Sequence, residues 1–290
     1  GVCFDACGGG VLTRSTAYED YEVLPGVRWS ALKEMWRGSP LAYRHALTAE
    51  RVDRVAWMKG RACHCLVLTP DRWDDEFAVW TGGRRGTKLW DAFEAENAGR
   101  TIVKADEYAE AMVQAAAVWN HPRARELLEG AEFEVVVQWV DEATGIACKA
   151  MIDCLHPGYG VVDLKGCREL ARFGPEAYRL GYQHQAAFYR RGVKATRGLD
   201  VGCSLIAHEV GGCHDVGVGG QPVEMTEVLD RDISILLARL AECEEVDEWP
   251  GRYPDVVTAT IPAWAVDEVV DEAFEAFGDV SETDVEVSDG

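Results

Sequence analysis

The sequence has no long apolar stretch and no leader-like pattern at its start. A membrane-spanning helix needs roughly 18 or more apolar residues, and no run in this chain approaches that length. The first residues also lack a charged segment followed by an apolar one, which is the pattern of a secretory signal. The sequence therefore predicts no membrane association and a cytoplasmic location.

Several motifs of well-known enzyme classes are also missing. There is no Walker loop, no nucleophile-elbow serine and no Gly-x-Gly-x-x-Gly turn, because Gly8-Gly-Gly10 lacks the required spacing. No internal repeat is present. These absences argue against P-loop, α/β-hydrolase and dinucleotide-binding functions. A length of 290 residues with 48% hydrophobic residues predicts one large α/β domain, alone or with appendages.

The ten cysteines show no Cys-x-x-Cys pair and no repeated spacing. Free thiols in a reducing compartment are the expected state. A zinc site at Cys63, His64 and Cys65, or at Cys213 and His214, is not expected, because neighbouring residues on one element diverge from a common tetrahedral ion.

Basic residues are scarce, with 29 Lys and Arg against 50 Asp and Glu, for a net charge of −21. Residues 265–290 contain ten acidic residues and no basic one, so the rest of the chain carries −11. We expect 265–290 to be a disordered acidic tail; the alternative is one amphipathic helical turn for a partner. Residues 1–17 are expected to form a loose arm.

A glutamate, two aspartates and a lysine follow one another through three predicted strands. The strands are predicted over 134–140, 146–155 and 161–165, with a hairpin loop over 141–145. Glu134 begins the first strand and Asp153 lies near the end of the second. Asp163 and Lys165 share the third, where alternate residues face the same side. We therefore expect a carboxylate beside an ammonium group.

Phosphodiester hydrolysis needs such groups, because water must lose a proton and negative charge builds up on the phosphate. Carboxylates from different strands can hold Mg²⁺, which acidifies a bound water, while a lysine polarises the water or the phosphate. We assign Glu134, Asp153 and Asp163 to the metal and Lys165 to the water. An Asp-x-Lys pair alone is more often a solvated surface pair, so the prediction depends on the order of all these groups.

Gln185 and Tyr189 follow on one face of a predicted helix, four residues apart. Their segment, Tyr182-Gln-His-Gln-Ala-Ala-Phe-Tyr189, resembles the Tyr-x-x-Gln-x-Ala-x-Tyr helix of the PDDEXK nucleases, in the RecB-like branch that includes phage RecE-type exonucleases. The order of the preceding acidic residues and lysine resembles the same family. The resemblance implies that Gln185 and Tyr189 border the active site and touch DNA. Taken alone, the segment fits an amphipathic core helix.

Further segments extend the resemblance over residues 18–264. Residues 60–70 resemble the family segment Gly-x-x-x-His-x-Leu-x-Leu-x-Pro, which implies that His64 is a metal ligand or phosphate neighbour. An isolated His in an apolar helix is otherwise more often a hydrogen-bonded core residue. The backbone carbonyl of Leu164 is likewise implied as a metal ligand. The remaining similar segments are 29–36 with Ser39-Pro40 and Tyr43, 249–254, and 262–264.

The sequence departs from the family at Met151, where relatives commonly carry Arg two residues before the first motif aspartate. Lys149 is the candidate to supply the missing charge. Because Lys is a point charge and Arg a bidentate fork, the change could alter DNA positioning or lower activity.

The resemblance implies a PDDEXK (restriction-endonuclease-like) α/β fold with a mixed central sheet flanked by helices. It implies an exonuclease domain over 18–264, between the arm and the tail. It also implies dependence on Mg²⁺, with Mn²⁺ as a substitute, and digestion of linear duplex DNA from 5′ ends to leave 3′ overhangs. A single-strand annealing protein is the implied partner and a homotetramer the implied assembly. If a phage carries the gene, the location is the host cytoplasm.

Two alternatives stay open. The first is a RecB-like repair or CRISPR-adaptation nuclease of other polarity, some of which hold an iron–sulfur cluster; scattered late cysteines argue against a cluster here. The second is a non-catalytic DNA-end-binding or recombinase-binding protein, with Met151 as a sign of a decayed site.

Two groups of basic residues are candidates for contacts with the DNA backbone. The first lies in the Gly-rich segment 81–90 and consists of Arg84, Arg85 and Lys88. A plain solvated loop is the alternative for it. The segment precedes a helix predicted over 106–119 from its apolar spacing. The second group consists of Arg168, Arg172, Arg179, Arg190 and Arg191.

Overall fold

The computed structural model describes residues 18–49, 55–221, 225–253 and 255. The predicted arm (1–17), the acidic tail (265–290) and the segment 262–264 lie outside the described residues. No helix within the described ranges combines the length and the apolar character needed to cross a membrane.

In the described chain, a run of helices precedes the first strand, and strands and helices are interspersed after it. The helices are α1 (Tyr18–Val23), α2 (Trp29–Arg37), α3 (Pro40–Thr48), α4 (Val55–Leu68), α5 (Trp73–Glu76), α6 (Lys88–Glu96), α7 (Ala105–Asn120), α8 (Pro122–Leu128), α9 (Phe173–Leu180), α10 (Tyr182–Arg197) and α11 (Thr226–Val246). The strands are β1 (Phe77–Trp80), β2 (Thr101–Lys104), β3 (Glu132–Val140), β4 (Ala147–His156), β5 (Gly160–Cys167), β6 (Cys203–Glu209) and β7 (Val216–Gly220). Short 3₁₀ turns lie at Pro70–Arg72 and Leu170–Arg172.

The central sheet has five strands in the order β3-β4-β5-β6-β7. Its pairs are antiparallel except for β5 and β6, which run parallel. A parallel pair needs a crossover, and α9 and α10 provide it between these two strands. A separate parallel pair, β1 and β2, forms a second small sheet. The topology is mixed, as the sequence predicts.

The hairpin that joins β3 to β4 is closed by its own loop residues. The hydroxyl and amide of Thr144 both donate to Oδ2 of Asp141, and Gly145 adopts a left-handed conformation with φ of 74°. Glycine tolerates that conformation because it has no Cβ. The loop therefore fixes the register of β3 against β4, on which the relative position of Glu134 and Asp153 depends.

Helices cover both faces of the central sheet. On one face, α2, α10 and α11 pack with the sheet around Leu32, Phe188 and Ile233, which are fully buried. On the other face, α4, α7 and α8 pack through a second core that includes Val118 and Leu127. Strands buried on both faces carry near-continuous apolar runs, and the charged Asp163 is buried within such a run.

Candidate active site

A cleft of about 840 Å³ opens where α4, the β3–β4–β5 strands and the segment before α10 meet. The predicted site residues among its lining are His64, Glu134 and Asp153. Asp163 lies beneath the surface, at 1% exposure, and Lys165 beside it is 15% exposed in its side chain. The cleft and these buried groups form the candidate site.

Three carboxylates from three neighbouring strands lie close together, two of them in direct register. Glu134 lies between the pairs Phe133↔Cys154 and Val135↔Ile152, so it stands opposite Asp153. The β4–β5 ladder ends at Cys154↔Val162, one step before Asp153 would face Asp163. Residues directly opposite each other share one face of a sheet. The strands therefore bring together three acidic residues that are distant in sequence.

Asp153 is held at the floor of the cleft by the neighbouring strand. The amide of Leu164 donates a hydrogen bond of 2.9 Å to Oδ2 of Asp153. Nδ1 of His64 lies 3.9 Å from the same oxygen. The backbone of Leu164 thus fixes one carboxylate oxygen, and the imidazole lies beside it.

His64 is neutral near pH 7. Burial, assisted by the positive charge of Lys165, lowers its pKa to about 4, although Asp163 and a hydrogen bond to the backbone of Leu164 act in the opposite direction. Desolvation disfavours the charged imidazolium. A neutral imidazole has one nitrogen free to accept a hydrogen bond or bind a metal.

Asp163 and Lys165 lie side by side, as strand alternation predicts. Nζ of Lys165 is 2.6 Å from Oδ2 of Asp163 and lies over the ring of Tyr182 at 5.1 Å. Burial raises the pKa of Asp163 to about 6, with Lys165 opposing the rise and Asp153 adding to it. Oδ1 of Asp163 is buried without a hydrogen-bond partner, which is costly unless something else satisfies it.

Glu134 has a backbone conformation that non-glycine residues rarely adopt, with φ of 50°. Such conformations cost about 1 to 3 kcal/mol and cluster at functional sites. Its carboxylate pairs with Nη1 of Arg72 at 2.5 Å, while Nη2 of Arg72 contacts Glu76 at 2.7 Å. Burial raises the pKa of Glu134, and Arg72 opposes that rise. Arg72 therefore compensates the charge of Glu134 within the site.

Gln185 and Tyr189 lie on α10, next to the buried carboxylates. Nε2 of Gln185 donates a hydrogen bond of 2.6 Å to the hydroxyl of Tyr189. Burial raises the pKa of Tyr189 well above its usual value, and the charges of Asp163 and Asp153 add to the effect. The phenol therefore stays protonated.

Within the described residues, no three His, Cys, Asp or Glu side chains already converge on one point as a metal cage. Glu134 is turned to Arg72, and Asp163 to Lys165. The donor set nevertheless fits a hard divalent cation, which prefers carboxylate oxygens. The unpartnered Oδ1 of Asp163 supplies such an oxygen, on the strand next to Asp153. The predicted metal ligands therefore stay a prediction with compatible chemistry.

The structure corrects the interpretation of Lys149 as a substitute for the missing arginine. Its ammonium is buried and donates to the carbonyls of Tyr21, Glu22 and Leu24, at 3.0, 2.9 and 2.6 Å. These carbonyls end α1, where cations are favourable. Lys149 therefore anchors α1, whereas Met151 lines the cleft.

The two basic groups separate into structural and cleft-facing residues. Arg84 and Lys88 are exposed, and Arg85 pairs with Glu107 at 3.1 Å beside a smaller pocket. This loop does not line the main cleft, so its role in binding DNA stays a prediction. In the second group, Arg190 and Arg191 bind the backbone of Val201 and Asp230, and Arg172 pairs with Glu169. Arg168 and Arg179 line the cleft.

Sequence reasoning missed Arg72. It lies in a 3₁₀ turn, 62 positions before its partner Glu134. No spacing rule connects residues so far apart. Its place shortly after the His64 segment was the available signal, but nothing in that segment indicates which acidic residue it meets.

A model of the PDDEXK-like domain of unknown function (DUF3799) matches residues 29–256. The chain belongs to this family. The match spans every predicted site residue from His64 to Tyr189 and thereby confirms membership of the PDDEXK-like proteins; the RecE-type branch stays a prediction. No curated protein matches the sequence.

Among solved structures, the chain is similar to a provisionally assigned exonuclease from Eubacterium rectale. The TM-score is 0.58 at 15% identity, and the match covers 89% of this chain and 98% of that one. At this identity the likeness concerns the fold. Together with the five-stranded mixed sheet, it confirms the predicted PDDEXK fold.

Proposed function

We propose that this PDDEXK-family protein is a metal-dependent exodeoxyribonuclease that degrades linear duplex DNA. The observation that carries the proposal is that Asp153, which lines the cleft, lies beside the buried pair of Asp163 and Lys165 on the neighbouring strand. Each is a residue type that phosphodiester hydrolysis uses, and burial perturbs the pKa of Asp163 and of the adjacent His64. Perturbed groups in a cleft are a recognised feature of catalytic sites.

Asp153, Asp163 and Glu134 are the residues that would hold Mg²⁺ or Mn²⁺, with His64 and the carbonyl of Leu164 nearby. A divalent ion supplies an acidified water and stabilises charge on the departing oxygen. Asp153 is already oriented for this by the amide of Leu164. Burial raises the pKa of Glu134, and its ion pair with Arg72 opposes that rise.

Lys165 acts as a fixed cation. Burial alone would lower its pKa, but Asp163 and Asp153 outweigh burial and raise it. The ammonium therefore keeps its proton at neutral pH. It donates hydrogen bonds that orient the attacking water and stabilise charge on the phosphate, and it does not remove a proton from the water.

The finer parts of the proposal rest on the likeness to RecE-type exonucleases. They are digestion from 5′ ends, 3′ single strands handed to an annealing protein, and a homotetramer. The support is the Tyr182–Tyr189 motif, whose Gln185 and Tyr189 meet at 2.6 Å beside the carboxylates. Light scattering of the purified protein tests the tetramer, and co-purification with a single-strand annealing protein tests the partnership.

The decisive experiment follows linear duplex DNA labelled at either the 5′ or the 3′ end, with Mg²⁺, Mn²⁺ or EDTA. Metal-dependent release of the 5′ label supports both the activity and its polarity. Release of the 3′ label first would support a RecB-like nuclease of other polarity. Intact labels with either metal, under conditions in which the protein binds DNA, would refute the nuclease.

Two variants connect activity to the site. Asp153→Asn keeps an oxygen for the amide of Leu164 but removes the charge, so the fold should survive while cleavage is lost. Lys165→Ala should also abolish cleavage. The matched control is Asp200→Asn, because Asp200 is 62% exposed and pairs with Arg190 and Lys194 away from the cleft. Full activity is expected for the control.

A non-catalytic DNA-end-binding protein is the second candidate. The observation in its favour is that Arg72 occupies the Glu134 carboxylate while Met151 stands in place of the family arginine. In that case Asp153→Asn would bind DNA ends as the wild type does, and neither protein would cleave them.

A further inference from the structure

The candidate cleft extends beyond its acidic floor, and two other groups of residues line it. Trp57 lines the cleft from α4, and it is 52% exposed. Arg168 and Arg179 line the cleft from the segment between β5 and α10, and both are exposed. An exposed indole and two guanidinium groups therefore share one cleft with the candidate catalytic residues.

The two arginines carry charge that the described part of the chain does not neutralise. Neither Arg168 nor Arg179 has a carboxylate within ion-pair distance there, whereas Lys59 in the same cleft pairs with Glu110 at 2.7 Å. Acidic residues outnumber basic ones in this chain, 50 to 29. Even so, cations that have no ion-pair partner inside a cleft attract anions locally. Their position points to an anionic ligand with more than one charge.

We propose that one unpaired strand of nucleic acid crosses this cleft, with a base stacked on Trp57 and backbone phosphates on Arg168 and Arg179. The inference deepens the proposed nuclease function, because the strand would lead to Asp153 at the floor of the cleft. Proteins that hold single strands combine aromatic platforms with cationic grooves.

The indole selects the strandedness of the ligand. A base inside a duplex already stacks on its neighbours and offers no free face, so a base on Trp57 must be unpaired or displaced from the end of the duplex. An acidic peptide would satisfy the arginines but would gain little from the indole. Trp57 therefore favours a nucleic-acid strand over an acidic peptide as the occupant.

The test is fluorescence anisotropy of a labelled oligothymidylate in EDTA, in which binding is measured without cleavage. Trp57→Ala should weaken binding by about 5- to 100-fold, which is the usual effect of losing one stacked base, whereas Trp57→Phe should retain most of it. The loss should disappear on an oligonucleotide of abasic residues, because no base remains to stack. Equal weakening of the normal and the abasic strand would refute stacking.

The arginines are tested by the salt dependence of the same binding. Arg168→Ala with Arg179→Ala should reduce the slope of log Kd against log salt by about 0.7 for each lost cation. The control is Arg239→Ala, because Arg239 is exposed on α11, pairs with Glu242 and lies outside the cleft. An unchanged slope, or a slope equally reduced in the control, would refute the arginine contacts.

The same experiments separate this inference from the nuclease proposal. If the wild type cleaves DNA but the Trp57 and arginine variants bind and cleave as it does, the strand path is refuted and the nuclease stands. If the wild type never cleaves but shows these binding losses, the strand path stands and the nuclease is refuted. Equal affinity for intact duplex and single strand, or displacement of the strand by poly-glutamate at equal charge concentration, would refute a path specific for unpaired bases.

Discussion

Truncating Lys165 to alanine leaves Asp163 as a buried carboxylate without its cation. Asp163 is 1% exposed, and Lys165, at 2.6 Å, is its ion-pair partner. Removing one partner of a buried pair costs about 3 to 5 kcal/mol, because an uncompensated charge remains. Since Lys165 is itself 15% exposed, we expect a loss in free energy of unfolding near the lower end, about 3 kcal/mol at pH 8.

This loss should depend on pH. Burial raises the pKa of Asp163 to about 6 even with Lys165 in place, and removing the opposing ammonium raises it further. A carboxyl group with a raised folded-state pKa contributes stability at low pH, where it is protonated. That stability is lost as pH rises from the unfolded value of about 3.9 through the folded value. The deficit of Lys165→Ala should therefore be small at pH 5 and large at pH 8.

Urea denaturation at both pH values measures the effect. With a slope of about 3 kcal/mol/M for a chain of this size, the midpoint should fall by about 1 M at pH 8. Asp163→Asn combined with Lys165→Met removes both charges and should recover most of the loss. Lys194→Ala, at an exposed pair with Asp200, should change stability by less than about 1 kcal/mol. A deficit that is equal at pH 5 and pH 8, or no recovery in the double variant, would refute the reasoning.

Three further predictions concern stability and are checked by chemical denaturation. Glu134→Gly should be about 1 kcal/mol more stable than Glu134→Ala, because φ is 50° and only glycine adopts it freely. Burial lowers the pKa of His208 to about 4, so the free energy of unfolding should fall as pH drops from about 6.5 to 4. The fall should be less steep in His208→Asn, because that variant lacks the titrating imidazole. Gly192→Ala should lose about 1 to 3 kcal/mol in free energy of unfolding, because a Cβ there would lie 2.8 Å from the Trp139 ring. Gly60→Ala should instead gain up to about 1 kcal/mol, because a Cβ there would meet no atom within 4 Å.

Local pattern was sufficient to predict the elements that form the site. The strand-forming residues of 134–140 and 146–155 and the loop at 141–145 predicted the β3–β4 hairpin, and its observed bounds differ from the prediction by one or two residues. Alternation along one strand also predicted that Asp163 and Lys165 would meet. These successes share a cause, since each depends on residues close in sequence, where strand geometry fixes which side chains share a face.

The failures concern residues brought together by tertiary packing. Lys149 shares strand β4 with Asp153, yet its ammonium binds the carbonyls of α1, which no pattern within β4 encodes. Arg72 reaches Glu134 from 62 positions away. Charge and spacing indicate that a lysine or arginine exists, but the packing of other elements decides which carbonyl or carboxylate it meets.

Local costs accumulate at the candidate site, on strands β3 and β5 and on helix α4. Glu134 has a left-handed backbone, Asp163 has a buried oxygen without a hydrogen-bond partner, and His64 has a pKa lowered by burial. Each feature reduces stability, and the apolar cores on both faces of the sheet must offset them. Nothing about folding requires three such costs within one cleft. A ligand that satisfies the orphaned oxygen and draws on Glu134 and Asp153 would account for all of them together, because sequences that depart from local optima generally do so where a site is held ready for binding.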